Sequence, residues 1–239
     1  MMKENTACGW IESVTMKVKI LRQQSPVAEP YWESFDYDGP AENSVAGMLD
    51  YLNYHDDIYN DRGERTRRIG WECSCLQGVC GACAMVINGR PALACESFLR
   101  DLGETVEIRP LRKFQVLCDL VTDRSSIQEN LTKMNVTIGE YTPAANGDHA
   151  HQYAAAKCLK CGLCLEVCPN YTNGENFFGA AFANDCYLAA SRNRTKRKEI
   201  RKAYGEHFAR SCSKSLSCME VCPMKIPTLA SMAKLNRGK

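Results

Sequence analysis

The sequence predicts an α+β domain over residues 1–115 followed by an all-α domain over residues 116–239. Three observations carry this division. Alternation of period two dominates the first half, and apolar spacings of three and four dominate the second. The change falls near Gln115. Short cysteine-bearing runs interrupt both halves, and 15 cysteines stand in 239 residues, most of them two to four positions from another.

Val14, Met16, Val18 and Ile20 alternate with Thr15, Lys17 and Lys19, the pattern of a strand with one buried face. Tyr31–Tyr37 is expected to be its partner, with Pro26 and Pro30 in the connection. Ser44 stands where it can cap a helix whose Val45, Met48, Leu49 and Leu52 fall at i, i+3, i+4 and i+7. Ala84–Ile87 and residues 91–94 flank Asn88-Gly89, a two-residue hairpin turn. Thr105–Arg109 adds another strand through Val106 and Ile108. Strands, one helix and further strands make a small domain that resembles the β-grasp. Residues 111–123 read as a linker passing into helix. Beyond it, Phe178, Phe182 and Cys186 line one helix face, and Ile200, Tyr204 and Phe208 line another.

Composition excludes several classes. Lys and Arg number 30 against 28 Asp and Glu, a net charge of +2, which provides no basis for nucleic acid as a partner. A charged fraction of 24% describes a globular chain. No stretch approaches the roughly 18 apolar residues of a spanning helix, and the start lacks the apolar run of a secretory leader. A cytosol-facing protein is expected. In such a compartment, closely spaced cysteines favour metal ligation over disulfides.

Cys75-Leu-Gln-Gly-Val-Cys80-Gly-Ala-Cys83, then eleven residues, then Cys95, has the C-x4-C-x2-C…C spacing of a plant-type [2Fe–2S] site. Three thiolates converge from one loop, and the fourth is expected from an adjacent strand. Gly78 and Gly81 let the loop take positive φ and bring backbone N–H groups toward sulfur. A zinc ribbon is the rival, but it has two C-x2-C knuckles where this set has one. Cys73, two residues before Cys75, would stretch the first gap to six, so Cys75 is the expected ligand.

Cys158-x2-Cys161-x2-Cys164-x3-Cys168-Pro169 is the bacterial ferredoxin run, whose fourth cysteine serves the other cluster in two-cluster proteins. Cys212-x5-Cys218-x3-Cys222-Pro223 repeats it, with Ser215 at the second cysteine's place and Met-Glu-Val echoing Leu-Glu-Val. Exchange of the fourth ligands gives Cys158, Cys161, Cys164 and Cys222 as a complete [4Fe–4S] set. Cys168, Cys212 and Cys218 remain as a set of three, suited to [3Fe–4S]. The preference of such clusters for sulfur leaves the corner at Ser215 without iron, although a serine oxygen can in principle hold one.

With these motifs the chain resembles the iron–sulfur subunit of succinate dehydrogenase and fumarate reductase, over nearly its whole length. The likeness includes the order of the cysteine sets, Asn88-Gly-Arg-Pro-Ala-Leu-Ala-Cys95, Arg109-Pro-Leu111, Asp119-Leu-Val121 and Cys222-Pro-Met-Lys-Ile-Pro227. The resemblance implies a β-grasp [2Fe–2S] domain followed by a bacterial-ferredoxin-like domain with two clusters. It further implies an electron relay between FAD in a flavoprotein subunit and quinone or haem b in a membrane cytochrome b. The chain would then sit peripherally on the cytoplasmic side of the cell membrane, and the dicarboxylate site would lie on another chain. Asn173 and Ser213 stand where mitochondrial-type members have tryptophan and histidine near quinone, which favours an anchor of the single-chain, two-haem kind. Leu76 replaces the usual arginine after the first cysteine. The alternatives are the iron–sulfur subunit of a related flavoprotein reductase and, in another class, a zinc-stabilised scaffold.

The remaining candidates are expected to be ordinary. Residues 192–202 hold seven basic residues in eleven and read as a solvated segment rather than a lipid or flavoprotein contact. His149, His151 and His207 carry no ligand spacing, Cys186 is a small core residue, and Cys8 and Cys118 have no pattern.

Overall fold

The computed structural model describes residues 13–135, 148–173 and 175–237, so Cys8 lies outside the described residues. The first half comprises β1 (Met16–Arg22), β2 (Tyr31–Tyr37), α1 (Val45–Asn53), β3 (Ile58–Tyr59), β4 (Arg65–Thr66), β5 (Ala84–Ile87), β6 (Arg90–Leu93) and β7 (Thr105–Arg109). Five of the strands form one sheet in the order β2-β1-β7-β5-β6. β1 runs antiparallel to β2 and parallel to β7, the crossover that α1 and the cysteine loop make possible. In β1, Met16, Val18, Ile20 and Arg22 are buried and Lys17 and Lys19 exposed, as the alternation requires. Val45, Ala46, Met48 and Leu49 of α1 are buried. Each fully buried aliphatic side chain contributes roughly 1.5–3 kcal/mol. Ser44 Oγ accepts the N–H of Gly47 at 3.3 Å and caps α1.

Three details differ from expectation. Val14 precedes β1, its N–H donating to Gly39 O at 2.9 Å. The strand expected at 91–94 ends at Leu93, and Ala94–Glu96 forms a 3₁₀ turn. Cys95 therefore comes from that turn rather than from a strand. Residues 111–123 are not a plain linker: β8 (Gln115–Cys118) and β9 (Val121–Asp123) pair as a small hairpin. β8 only alternates between exposed and half-buried residues and β9 buries Thr122 alone, too little to register as a period.

The second half contains α2 (Ser125–Glu129), α3 (His149–Ala156), α4 (Leu163–Glu166), α5 (Gly179–Arg192), α6 (Arg197–Tyr204), α7 (Ser217–Glu220) and α8 (Thr228–Asn236). α5 is central and touches α3, α4, α6 and α8. Its buried Ala180, Ala181, Ala183 and Ala190 let neighbours approach closely. Phe178 caps α5, and Phe182 and Cys186 are buried on it. α6 runs on into a π turn, Gly205–Ala209, which carries the buried Phe208. The sequence repeat is also a backbone repeat. Lys160 and Lys214 both have positive φ (55° and 59°), as do Gly162 and Leu216 (86° and 62°), and each pair leads into a short helix, α4 or α7.

The halves are joined by specific contacts. Glu166 is buried and accepts the Lys113 N–H at 3.1 Å and Arg112 Nε at 3.3 Å. Lys113 Nζ donates to Cys168 O. A Cβ at Gly162 would meet the Phe114 ring at 3.1 Å, so α4 sits directly against residues 111–114.

A buried ion network ties the cysteine loop to the sheet. Arg22, fully buried at the end of β1, pairs with Glu33 Oε2 at 2.7 Å and Asp119 Oδ1 at 3.0 Å. Its Nη2 donates to the carbonyls of Arg67 and Arg68, both at 3.0 Å. Asp119, in the β8–β9 turn at φ 45°, also accepts Arg67 and the N–H groups of Gly70 (2.8 Å) and Gln23 (3.0 Å). Sheet, hairpin and the segment leading to Cys75 are thereby locked together. Removing the cation strands two carboxylates in the interior. Arg22→Met is expected to lower stability by about 3–5 kcal/mol, read as a shift in the denaturation midpoint by circular dichroism. A change below about 1 kcal/mol would show that the network does not hold the loop.

Candidate functional site

The first cysteine set occupies the loop between β4 and β5 and the 3₁₀ turn after β6. Its thiols approach in pairs. Cys75 Sγ is bonded by the Cys80 thiol, and Cys83 Sγ lies 3.4 Å from Cys95 Sγ. Two tetrahedral metals, each needing two thiolates, require such a pairing. Backbone N–H groups aim at the sulfurs: Gln77 and Val79 at Cys75 (both 3.4 Å), Gly78 at Cys95 (3.3 Å) and Ala82 at Cys80 (3.5 Å). Gly78 reaches its position at φ 70°, where a Cβ would strike the Glu96 carboxylate. The N–H groups of Gln77 and Val79 pull the Cys75 thiol down to about 7. Burial pushes Cys95 up to about 12. Cys73 is exposed and takes no part in this pairing.

The second and third sets flank α4 and α7. Cys158, Cys161, Cys164 and Cys222 line one cavity of about 30 Å³, and Cys168, Cys212 and Cys218 line another of about 20 Å³ together with Ser215. Cys218 borders both cavities. The fourth cysteine of each run thus crosses to the other run's cavity. The cavity walls are otherwise largely apolar, with Ala180 and Ile226 on the first and Phe177, Phe208 and Met232 on the second. Burial pushes Cys158 up, Cys161 and Cys218 up to about 11, and Cys164 well above its ordinary value. Backbone N–H groups of Lys160 and Leu163 act the other way on Cys158 and Cys161. So many thiols in an apolar setting become thiolates only beside a concentrated positive charge.

The donor chemistry fits iron–sulfur clusters. All the converging donors are soft sulfurs, apart from one serine hydroxyl. Sulfurs spread around a volume, with N–H donors behind them, suit a cluster of several irons.

Other candidates fall outside this arrangement. Cys186 is buried, Cys118 is half-buried, and His149 is exposed. His151 is not a plain surface residue: its Nε2 lies 3.1 Å from Ser231 Oγ, and its ring meets Tyr187 edge-on. His207 stacks on Phe178 at 4.2 Å. Within 192–202, Lys196 Nζ and Arg197 Nε donate to the carbonyls of Asn135 and Ala190, so this segment is partly tied down rather than only solvated. Spacing singles out neither Arg124, which lies outside every cysteine motif, nor Lys160, which fills a variable position of one. Arg124 bonds carbonyls of two cysteine loops, and Lys160, between Cys158 and Cys161, pairs with the half-buried Asp185 of α5.

Comparison with known proteins agrees with this chemistry. A family model described as a 2Fe-2S iron-sulfur cluster binding domain matches residues 17–129, and one described as a 4Fe-4S dicluster domain matches residues 154–226. The succinate dehydrogenase iron-sulfur subunit of Bacillus subtilis is 31% identical, covering 95% of this chain and 93% of that protein. The fumarate reductase iron-sulfur subunit of Haemophilus influenzae is 30% identical with the same coverage. A chain of the Mycobacterium smegmatis Sdh1 complex in the apo form matches with a TM-score of 0.74 at 26% identity, covering 94% of this chain and 96% of that one.

Gly81 is the point where the first and second sets meet. At φ 81°, a Cβ there would lie 2.7 Å from Cys161 Cβ and 3.2 Å from its Cα. Gly89, at φ 77°, has nothing within 4 Å of the same position. Gly89→Ala is expected to cost only the left-handed backbone term, about 1–2 kcal/mol. Gly81→Ala adds overlap between two loops, so its melting temperature and retained iron should fall well below those of Gly89→Ala. Equal effects of the two substitutions would mean that the loop contact is not tight.

Proposed function

The chain belongs to the iron–sulfur subunits of succinate dehydrogenases and fumarate reductases, and we propose that it relays electrons singly between a flavoprotein subunit and a membrane partner. Cys75, Cys80, Cys83 and Cys95 would hold [2Fe–2S]. Cys158, Cys161, Cys164 and Cys222 would hold [4Fe–4S], and Cys168, Cys212 and Cys218 would hold [3Fe–4S], with Ser215 at the open corner. The two binding units divide near residue 115, and the β8–β9 hairpin packs back onto the first. The observation that carries this assignment is the crossing of Cys168 and Cys222 between the two cavities. Such clusters take up and return one electron without breaking a bond.

The chain's own residues supply the setting. The N–H donors at Cys75, Cys80 and Cys95 spread negative charge over the loop. Leu76 and Val79 are exposed beside the first set, where a flavoprotein carrying FAD would approach. Leu216 and Leu229 are exposed at the third set, where a membrane cytochrome b would approach. No helix among the described residues is long and apolar enough to cross a membrane. We assign the chain to the cytoplasmic face of the membrane, held there by its partners. Quinone would be bound by the anchor: Asn173 is exposed and accepts from the Tyr171 hydroxyl at 3.3 Å, and Ser213 borders the third cavity. Neither offers the aromatic or imidazole surface of a mitochondrial-type quinone pocket, which favours the two-haem anchor.

EPR of the anaerobically purified complex tests the assignment. The oxidised protein, with about nine irons per chain, should show a [3Fe–4S] signal. Ser215→Cys should abolish that signal and raise the iron content to about ten. Two [4Fe–4S] signals on reduction, with none in the oxidised protein, would contradict the role given to Ser215. A colourless, zinc-loaded protein would contradict the redox function.

A further inference from the structure

Arg124 follows β9 and opens α2, outside every cysteine motif. Its Nη1 donates to the carbonyl of Gly81 at 2.9 Å and to that of Cys161 at 3.3 Å. Its Nη2 donates to Ala82 O at 3.2 Å and to Glu72 Oε2 at 2.5 Å. One guanidinium thus grips the turn between Cys80 and Cys83, the loop of Cys161, and the segment three residues before Cys75. The side chain is 17% exposed, so its charge acts through little water. A planar fork of five donors can reach three carbonyls and a carboxylate at once, which an ammonium cannot.

The contact it spans is a close one between the first two sets. Gly81 lies against Cys161, and Leu159 closes the same junction. Electron transfer between buried centres falls steeply with distance, so whatever fixes this junction fixes the rate across it. The guanidinium also sits between the Cys80–Cys83 turn and the Cys161 loop. A fixed cation there lowers the cost of placing an extra electron on either side.

We propose that Arg124 is the positioning residue of the step between the first and second cysteine sets, fixing the separation of the two loops and favouring the reduced state on both sides. In that step one electron would pass, in either direction, between the centre that Cys75, Cys80, Cys83 and Cys95 would hold and the centre that Cys158, Cys161, Cys164 and Cys222 would hold. No proton moves and no bond breaks. Glu72 is the anchor that orients the guanidinium, and its carboxylate restricts the cation to the junction. The inference rests on the assignment of iron–sulfur clusters to these two sets.

The test uses the native complex, purified anaerobically, with Arg124→Gln and Arg124→Lys in the full chain. Three readouts are needed: iron and sulfide per chain, EPR-monitored redox titration, and enhancement of the first centre's spin relaxation when its neighbour is reduced. Arg124→Gln should retain the parental iron, shift the first two potentials downward, and lose relaxation enhancement. Arg124→Lys should restore the potentials through its charge and leave the enhancement weakened, because one ammonium cannot hold both loops. Arg124→Gln with parental potentials and parental relaxation would overturn the proposal. Where Arg124→Gln fails to retain iron, Arg124→Lys decides: weakened relaxation supports the proposal and parental relaxation overturns it. A parental complex without iron would overturn the cluster assignment itself, a distinguishable outcome.

Discussion

Thiolates packed together out of water repel one another and lose hydration, and the rest of the molecule is arranged around that electrostatic cost. Burial alone drives the second-set and third-set thiols toward their protonated forms. Three features of the chain oppose this. Backbone N–H groups two residues beyond a cysteine turn back to its sulfur, at Cys75, Cys80, Cys158 and Cys161. Positive φ at Leu76, Gly81, Lys160 and Gly162 makes such tight turns possible. Cationic side chains of Arg124 and Lys160 stand at the loop backs, each held by a carboxylate. Iron supplies the remaining positive charge, so folding and cofactor assembly are coupled.

The same features determine how the sets lie relative to one another. Gly81 brings the first loop onto Cys161, and Cys218 borders the cavities of both later sets. The result is a sequence of sites from the exposed turn at Leu76 and Val79 to the exposed turn at Leu216. Neighbouring sites share a wall at each junction. α4 and α7 carry the repeated runs, with Cys222 lining the cavity of Cys158, Cys161 and Cys164 and Cys168 lining that of Cys212 and Cys218. A chain in which each run served only its own cavity would have no such shared wall. Contacts of residues 111–114 with Gly162 and Glu166 keep the two halves in one register.

Much of this was legible in the sequence because the responsible patterns are local. The alternation in β1, the cap at Ser44, the Asn88-Gly89 turn and the cysteine spacings each depend on neighbours a few positions away. The proposed exchange of Cys168 and Cys222 is read for a different reason, since a repeated run announces its partner. What was not legible depends on distant residues. The β8–β9 hairpin is short, and it is stabilised through Asp119 by Arg22 and Gly70. Cys95 sits on a 3₁₀ turn rather than a strand because Ala94 and Cys95 must bend toward Cys83. Arg124 and His151 acquire their roles only from tertiary neighbours, and no spacing rule marks them.

Anomalous diffraction at the iron absorption edge, from crystals of the anaerobically purified complex, tests the central claim most directly. Three separate iron centres are expected in this chain. One lies among Cys75, Cys80, Cys83 and Cys95, one among Cys158, Cys161, Cys164 and Cys222, and one beside Cys168, Cys212 and Cys218 with no iron bound to Ser215. Peaks at the zinc edge alone, or iron held by Cys168 together with Cys158, Cys161 and Cys164, would contradict it.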